Sequence, residues 1–258
     1  MNFIFLTLCA ILKASLPDKC VDNGVIAITF DDGPTGHTEY VLDQLDELGV
    51  KATFHFTTQN IVRGNIASLM RRAVEDGHTV GLRVNPKRDY TEMDEDAIKE
   101  DLEGQIKVIN KECNEKIRFA RAPTPDAQIN EDVFNALQDK KIIQTGYTYC
   151  FYHDAEDADE AVSQLEKILE TSSPQYESFI FLLHEEMEKT FPLLEDIVRL
   201  GRKKGYEFVN YDECFAGFKP GDANPMGTAR PASSLTDKSS ANHVLIVPLC
   251  LLCFLFIC

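Results

Sequence analysis

The chain has 258 residues, a hydrophobic content of 44% and a formal net charge of -16. That apolar content suffices for a substantial core and excludes global disorder, and the length fits one barrel-sized domain or two smaller ones. The acidic balance argues against nucleic acid as a partner, because phosphate binding needs a basic face.

In chain order, Asn2 to Leu12 is nearly all apolar and precedes Lys13-Ala14-Ser15. Residues 1–15 are read as a secretory signal peptide, with an N-terminal anchor as the alternative. Residues 25–30 are β-branched and apolar, a buried strand that ends in Asp31-Asp32 and is stopped by Gly33-Pro34. Two adjacent carboxylates at a strand end need a reason, since each ionised acid raises the cost of ionising the other. A solvated Asp-Asp-Gly-Pro turn is the plain alternative. Further strands are predicted over 52–57, 79–84, 117–120, 142–147, 179–183 and 206–210. Helical periodicity fills 38–48, 66–76, 94–112, 131–139, 160–170 and 188–204. Gly49, Gly77 and Gly205 suit left-handed caps at helix ends. Seven strands with intervening helices predict an α/β fold, either a barrel or a doubly wound sheet. In both, chemistry sits at the carboxyl ends of strands, where Asp31 and Asp32 fall.

From about residue 217 the composition turns to Gly, Pro, Ser and Asn. The expected organisation is therefore a single domain over 16–216 and a stalk over 217–243. Residues 244–258 form an apolar run that is short for a spanning helix. With the small residues Ala232-Ser233-Ser234 and a polar spacer before it, the run reads as a glycolipid (GPI) anchor signal, or as a short tail anchor. The expected address is the secretory pathway and a membrane-anchored place at the cell surface or in a cell or spore wall. Cys9 leaves with the signal and Cys250, Cys253 and Cys258 with the tail. Cys20, Cys113, Cys150 and Cys214 remain, in an oxidising compartment and with three possible pairings. A Cys20–Cys214 bridge would tie the first strand to the last and leave Cys113 with Cys150.

Asp31-Asp32 is followed in order by Lys51-Ala52-Thr53-Phe54 with Gln59-Asn60, Gly77-His78, Arg121-Ala122-Pro123, Phe181-Leu182-Leu183-His184 and Gly205-Tyr206-Glu207-Phe208-Val209. In this order and spacing, over about residues 20–215, the chain resembles the polysaccharide deacetylases of carbohydrate esterase family 4, which include chitin deacetylases. The resemblance implies a distorted (β/α) barrel of about seven strands. It implies Asp31 as general base, Asp32 as metal ligand, His184 as general acid and Arg121 as the group that keeps Asp31 ionised and oriented. It also implies a divalent metal, zinc or cobalt, and chitin or a related glycan as partner.

The second motif departs from the family. In its register Arg83 and Lys87 stand where the two metal-binding histidines are expected. A ligand must present a lone pair, and Arg and Lys are protonated at working pH. Asp32 is then the only family metal ligand left, and the expectation is two cations beside Asp31 and Asp32 and no bound metal. After Pro123, Thr124-Pro125 replaces an aromatic-Gly pair, and the chain has no Trp. Tyr147, Tyr149, Phe151 and Tyr152 offer faces for sugar rings or simple packing. His37, His55 and His153 are too few and too scattered to rebuild a metal site. Three functions remain: a surface-anchored deacetylase homologue without activity, a working chitin deacetylase that hydrolyses N-acetyl groups, and a non-catalytic glycan-binding or structural wall protein.

Overall fold

The computed structural model describes residues 15–61, 66–125, 128–151, 157–185 and 190–228. Strand β1 (Val25–Gly33) is the centre of the sheet, and its side chains alternate between two cores. Ile26, Ile28 and Phe30 face the helices, whereas Val25 and Ala27 face the barrel interior. By the same alternation Thr29 and Asp31 face the interior.

The other strands are β2 (Thr53–Phe56), β3 (Thr79–Arg83), β4 (Phe119–Arg121), β5 (Ile143–Gln144), β6 (Tyr149–Cys150), β7 (Phe179–His184) and β8 (Glu207–Val209). All pairings are parallel, along the path β5-β4-β3-β2-β1-β7-β6. Strand β8 pairs with the first residues of β1, and β2 with the last, so the two share one edge of β1. The result is a curled half-barrel in one α/β domain. The seven predicted strands are present, although several are shorter than read. Strand β6 is an eighth, two residues long and too short to leave a pattern.

Among the described residues six helices cover the outside: α1 (Thr38–Leu48), α2 (Ile66–Glu75), α3 (Glu95–Cys113), α4 (Glu131–Asp139), α5 (Ala158–Thr171) and α6 (Thr190–Lys204). A short α7 (Tyr211–Cys214) lies under the barrel. Residues of α1 such as Val41, Leu42 and Leu45 bury the apolar stripe that their spacing predicts, against Phe30, Phe54 and Phe56. Each such side chain contributes about 1.5–3 kcal/mol by leaving water.

Cys20 and Cys214 form a disulfide that joins the start of the domain to α7. Cys113 and Cys150 are both buried free thiols, so the second expected bridge is not formed. The topology separates them: Cys113 ends α3, which packs on β3, whereas Cys150 lies on β6 at the other end of the sheet.

The expected boundary at 216 also moves. Thr228 exchanges backbone hydrogen bonds with Val21 and Asn23, and Asn224 Nδ2 donates to the carbonyl of Leu16. Residues 217–228 therefore lie against the domain instead of leaving it as a stalk. Among the described residues no helix is long and apolar enough to cross a membrane. Residues 1–14 of the expected signal peptide, residues 229–243 of the expected stalk, the expected anchor signal over 244–258, Tyr152 and His153 lie outside the described residues.

Candidate active site

The interior faces of five strands meet at the carboxyl end of the barrel. Asp31 pairs in register with His55 of β2 on one side and His184 of β7 on the other. Arg83 of β3 pairs with Arg121 of β4. One layer of the barrel thus holds Asp31, His55, Arg83, Arg121 and His184. On a regular strand Asp32 would point away from Asp31. It does not, because the register with β2 slips between Asp31 and Gly33 and Asp32 adopts a left-handed backbone with φ 64°. Asp is among the few side chains that tolerate this conformation. This bulge turns both carboxylates to the same mouth.

Asp31 is 2% exposed. Arg121 Nη1 donates to Asp31 Oδ1 at 2.9 Å and to Thr29 Oγ1 at 2.9 Å. Its Nη2 donates to the Gly146 carbonyl and the Tyr211 hydroxyl. His55 Nδ1 lies 3.0 Å from Asp31 Oδ1, and Arg83 Nε lies 3.5 Å from Asp31 Oδ2. Burial alone would raise the Asp31 pKa. The Arg121 charge, the His55 hydrogen bond and the Arg83 charge outweigh it and hold the carboxyl far below its usual range.

Arg83 is the hinge of the cluster. Its Nε donates to Asp32 Oδ1 at 2.9 Å and its Nη1 to the Arg121 carbonyl at 3.3 Å. Asp32 Oδ2 lies 3.0 Å from His184 Nδ1. Burial works against the Asp32 charge, but His184 and Arg83 lower its pKa all the same. Burial likewise opposes a charge on His184. Its hydrogen bonds with Asp32 and Cys150 and the nearby carboxylate charges prevail, and its pKa rises to about 9. His184 therefore carries a proton at neutral pH.

Lys87 departs from the sequence expectation. It lines the cleft in front of Asp31, but its side chain is exposed, beyond Pro86 in the loop that follows β3. It makes no ion pair among the described residues. One cation, Arg83, sits on the two carboxylates, and the second stands off in solvent.

Three members of the site gave no clear signal in the sequence. His55 is fully buried, and burial followed by the Arg121 charge pushes its pKa down to about 4, so it is neutral. Gly81 makes room for it, since a Cβ there would come 2.8 Å from His55 Cδ2 and 2.8 Å from the Phe119 carbonyl oxygen. Tyr211 stacks edge-on against His55 and Phe119 beneath the arginine. Glu185, buried beside His184, accepts hydrogen bonds from Thr35 N and from the hydroxyls of Thr35 and Thr38. It pins the turn after Asp32 to the end of β7. A polar residue every second position, as in Thr53-Phe54-His55, was the one available sign of an interior polar face.

Of the aromatics, Tyr147 is exposed and its ring lies 5.6 Å from the Arg121 guanidinium carbon. Tyr149 is exposed on β6, and Phe151 is buried in the core. The cleft at the mouth has a volume of about 530 Å³.

Whether these side chains suit a divalent cation follows from their chemistry. Among the described residues no group of three or more His, Cys, Asp or Glu side chains is disposed to hold a metal ion. Asp32 already faces a guanidinium and an imidazolium, neither of which has a lone pair to give. The donor set does not fit a metal.

The polysaccharide deacetylase family profile matches residues 18–149, just over half of the chain. A bifunctional xylanase/deacetylase of Pseudobutyrivibrio xylanivorans is 29% identical over 74% of this chain and 30% of its own length. The chain spans less than a third of several curated relatives that it matches. The chitin deacetylase of Colletotrichum lindemuthianum is 28% identical over 76% of this chain and 81% of its own. Its solved structure superposes with a TM-score of 0.68, over 80% of this chain and 91% of that one, at 24% identity. A family 4 acetyl xylan esterase of Clostridium thermocellum, solved with a cobalt ion, gives a TM-score of 0.62 at 27% identity, over 76% and 94% of the two chains.

Proposed function

The chain belongs to the polysaccharide deacetylase family, and within it we propose a surface- or wall-associated deacetylase homologue that holds no metal and does not hydrolyse N-acetyl groups. One observation carries the reading: Arg83 Nε donates to Asp32 Oδ1 at 2.9 Å. Asp32 is the residue that the family resemblance makes a metal ligand, and a cation already occupies it. Members of the family use a divalent metal to polarise the amide carbonyl and to lower the pKa of bound water. In this chain Arg83 and Lys87 stand at the histidine positions of that motif. They neutralise charge or meet solvent, but they cannot activate water.

Asp31 stays ionised between Arg121 and His55, and His184 lies on Asp32. The base and acid positions are therefore kept, and the electrophile is what this reading removes. The cleft supports retention of a glycan without cleavage.

The test is acetate release from N-acetylglucosamine oligomers with added zinc or cobalt. The wild-type protein is expected to release none above background, and the Arg83→His/Lys87→His double variant to gain metal-dependent release. Metal-dependent release by the wild type that His184→Ala abolishes would overturn the reading.

A further inference from the structure

The cleft is cationic in an acidic protein. The chain carries 26 Lys and Arg against 42 Asp and Glu. Of the residues that line the cleft, four are Lys or Arg (Arg83, Lys87, Arg88 and Arg121) and two are Asp (Asp31 and Asp89).

The cations are not all used internally. Arg121 and Arg83 are paired with Asp31 and Asp32. Arg83 spends Nε on Asp32 and Nη1 on the Arg121 carbonyl, and its Nη2 makes no hydrogen bond among the described residues. Lys87 Nζ is likewise without a partner there. Arg88 is paired with Asp101, and the Asp89 carboxylate caps Thr91 N and Oγ1. Arg83 and Lys87 both line the cleft. A guanidinium N–H beside an ammonium suits a carboxylate, which takes each in a charge-assisted hydrogen bond. Tyr147 also lines the cleft with its ring exposed and the Arg121 guanidinium over it, and an exposed aromatic ring suits a sugar face. A second cleft of about 280 Å³ shares Arg88, Asp89, Ala122, Pro123 and Pro125 with the first, so there is room for more than one ring.

We propose that this cleft binds an acidic saccharide, with a ring carboxylate on Arg83 Nη2 and Lys87 Nζ and a sugar face on Tyr147. The inference rests on the reading above, because it needs Arg83 in place of a metal. Binding involves no bond-making.

The experiment is calorimetric titration of the full chain with a β-1,4-linked glucuronic acid tetramer, with the N-acetylglucosamine tetramer and with sodium sulfate, each beside a zinc titration. The acidic tetramer is expected to bind saturably and about tenfold or more tighter than the neutral one, which corresponds to about 1.4 kcal/mol. Added salt weakens it. Lys87→Glu, at an exposed position that leaves the fold intact, is expected to weaken it by about tenfold, and Tyr147→Ala to weaken both saccharides. Equal affinity for the two tetramers, an unchanged Lys87→Glu variant, or sulfate binding as tight as the tetramer would overturn the proposal. Absence of saccharide heat together with absence of zinc heat would overturn this proposal alone. Stoichiometric zinc binding would overturn the metal-free reading and this proposal with it.

Discussion

The two faces of the same strands make a useful contrast. On the helix-facing side Ile26, Ile28, Phe30, Phe54, Phe56, Val80 and Leu82 form a continuous apolar layer. On the interior side the strands carry Thr29, Asp31, His55, Arg83, Arg121 and His184, and only the lower interior is apolar, around Phe119, Ile180, Tyr211 and Phe215. The first face is held by packing, which tolerates any residue of about the right volume. The second is held by charge, where each member is tolerated only because of its neighbours. Substitutions on the two faces therefore have different consequences.

Removal of a single interior charge is expected to break this contrast most severely. Arg121→Met leaves Asp31 buried without its strongest compensating charge, at a cost of about 3–5 kcal/mol. Urea unfolding measures it, and a cost under about 1 kcal/mol would mean that the interior is not organised by charge.

The pH dependence comes next. His184, raised from 6.5 to about 9, contributes stability that is complete below pH 6.5 and lost as pH climbs to about 9. His55 and His78, lowered from 6.5 to about 4, act in the opposite sense. The unfolded chain takes up their protons first, so stability falls as pH drops from 6.5 toward 4. Between pH 4 and 9 stability is expected to peak near 6.5, with a loss of order 3 kcal/mol on the alkaline side. His184→Gln should flatten that side and leave the acid side as it was.

Arg83→Met is expected to cost less, about 1–2 kcal/mol, because Asp32 is 30% exposed and water compensates it. The same variant should raise the pKa of Asp32, which carbon-detected NMR titration reads. At the small end, Phe54→Leu on the helix-facing side should cost under about 1.5 kcal/mol. Phe54→Ala, by contrast, should cost about 3–5 kcal/mol through the cavity it leaves. A large loss for the leucine variant would mean that this face, too, depends on a particular shape.

The contrast also explains what the sequence disclosed. The helix-facing layer writes itself as alternating or continuous apolar runs, so the strands and the family fold were legible, with the family motifs adding order. Asp31 and Asp32 stood out because two adjacent carboxylates end an apolar strand, whereas Arg83, Arg121 and His184 stood out only through the register of the family motifs. His55 and Glu185 did not, since each looked like a polar residue at a strand edge until the register placed it in the layer. Tyr211 reaches the site from below through α7, a contact with a sequence separation of 90 to Arg121 and no local pattern. The turn of residues 217–228 back onto residues 16–23 was hidden for the same reason: Gly, Pro and Asn mark irregular chain without saying whether it packs. Strand β6 was too short for any period, and the cysteine pairing depended on which elements the sheet order brought together.

The most direct test of the central claim, that a guanidinium holds the place of a metal at Asp32, is zinc titration of the folded wild-type protein by calorimetry, with elemental analysis of the same sample. The account predicts no bound metal and no binding heat in the wild type, with zinc affinity appearing in the Arg83→His/Lys87→His variant. One tightly bound zinc per wild-type chain would contradict it.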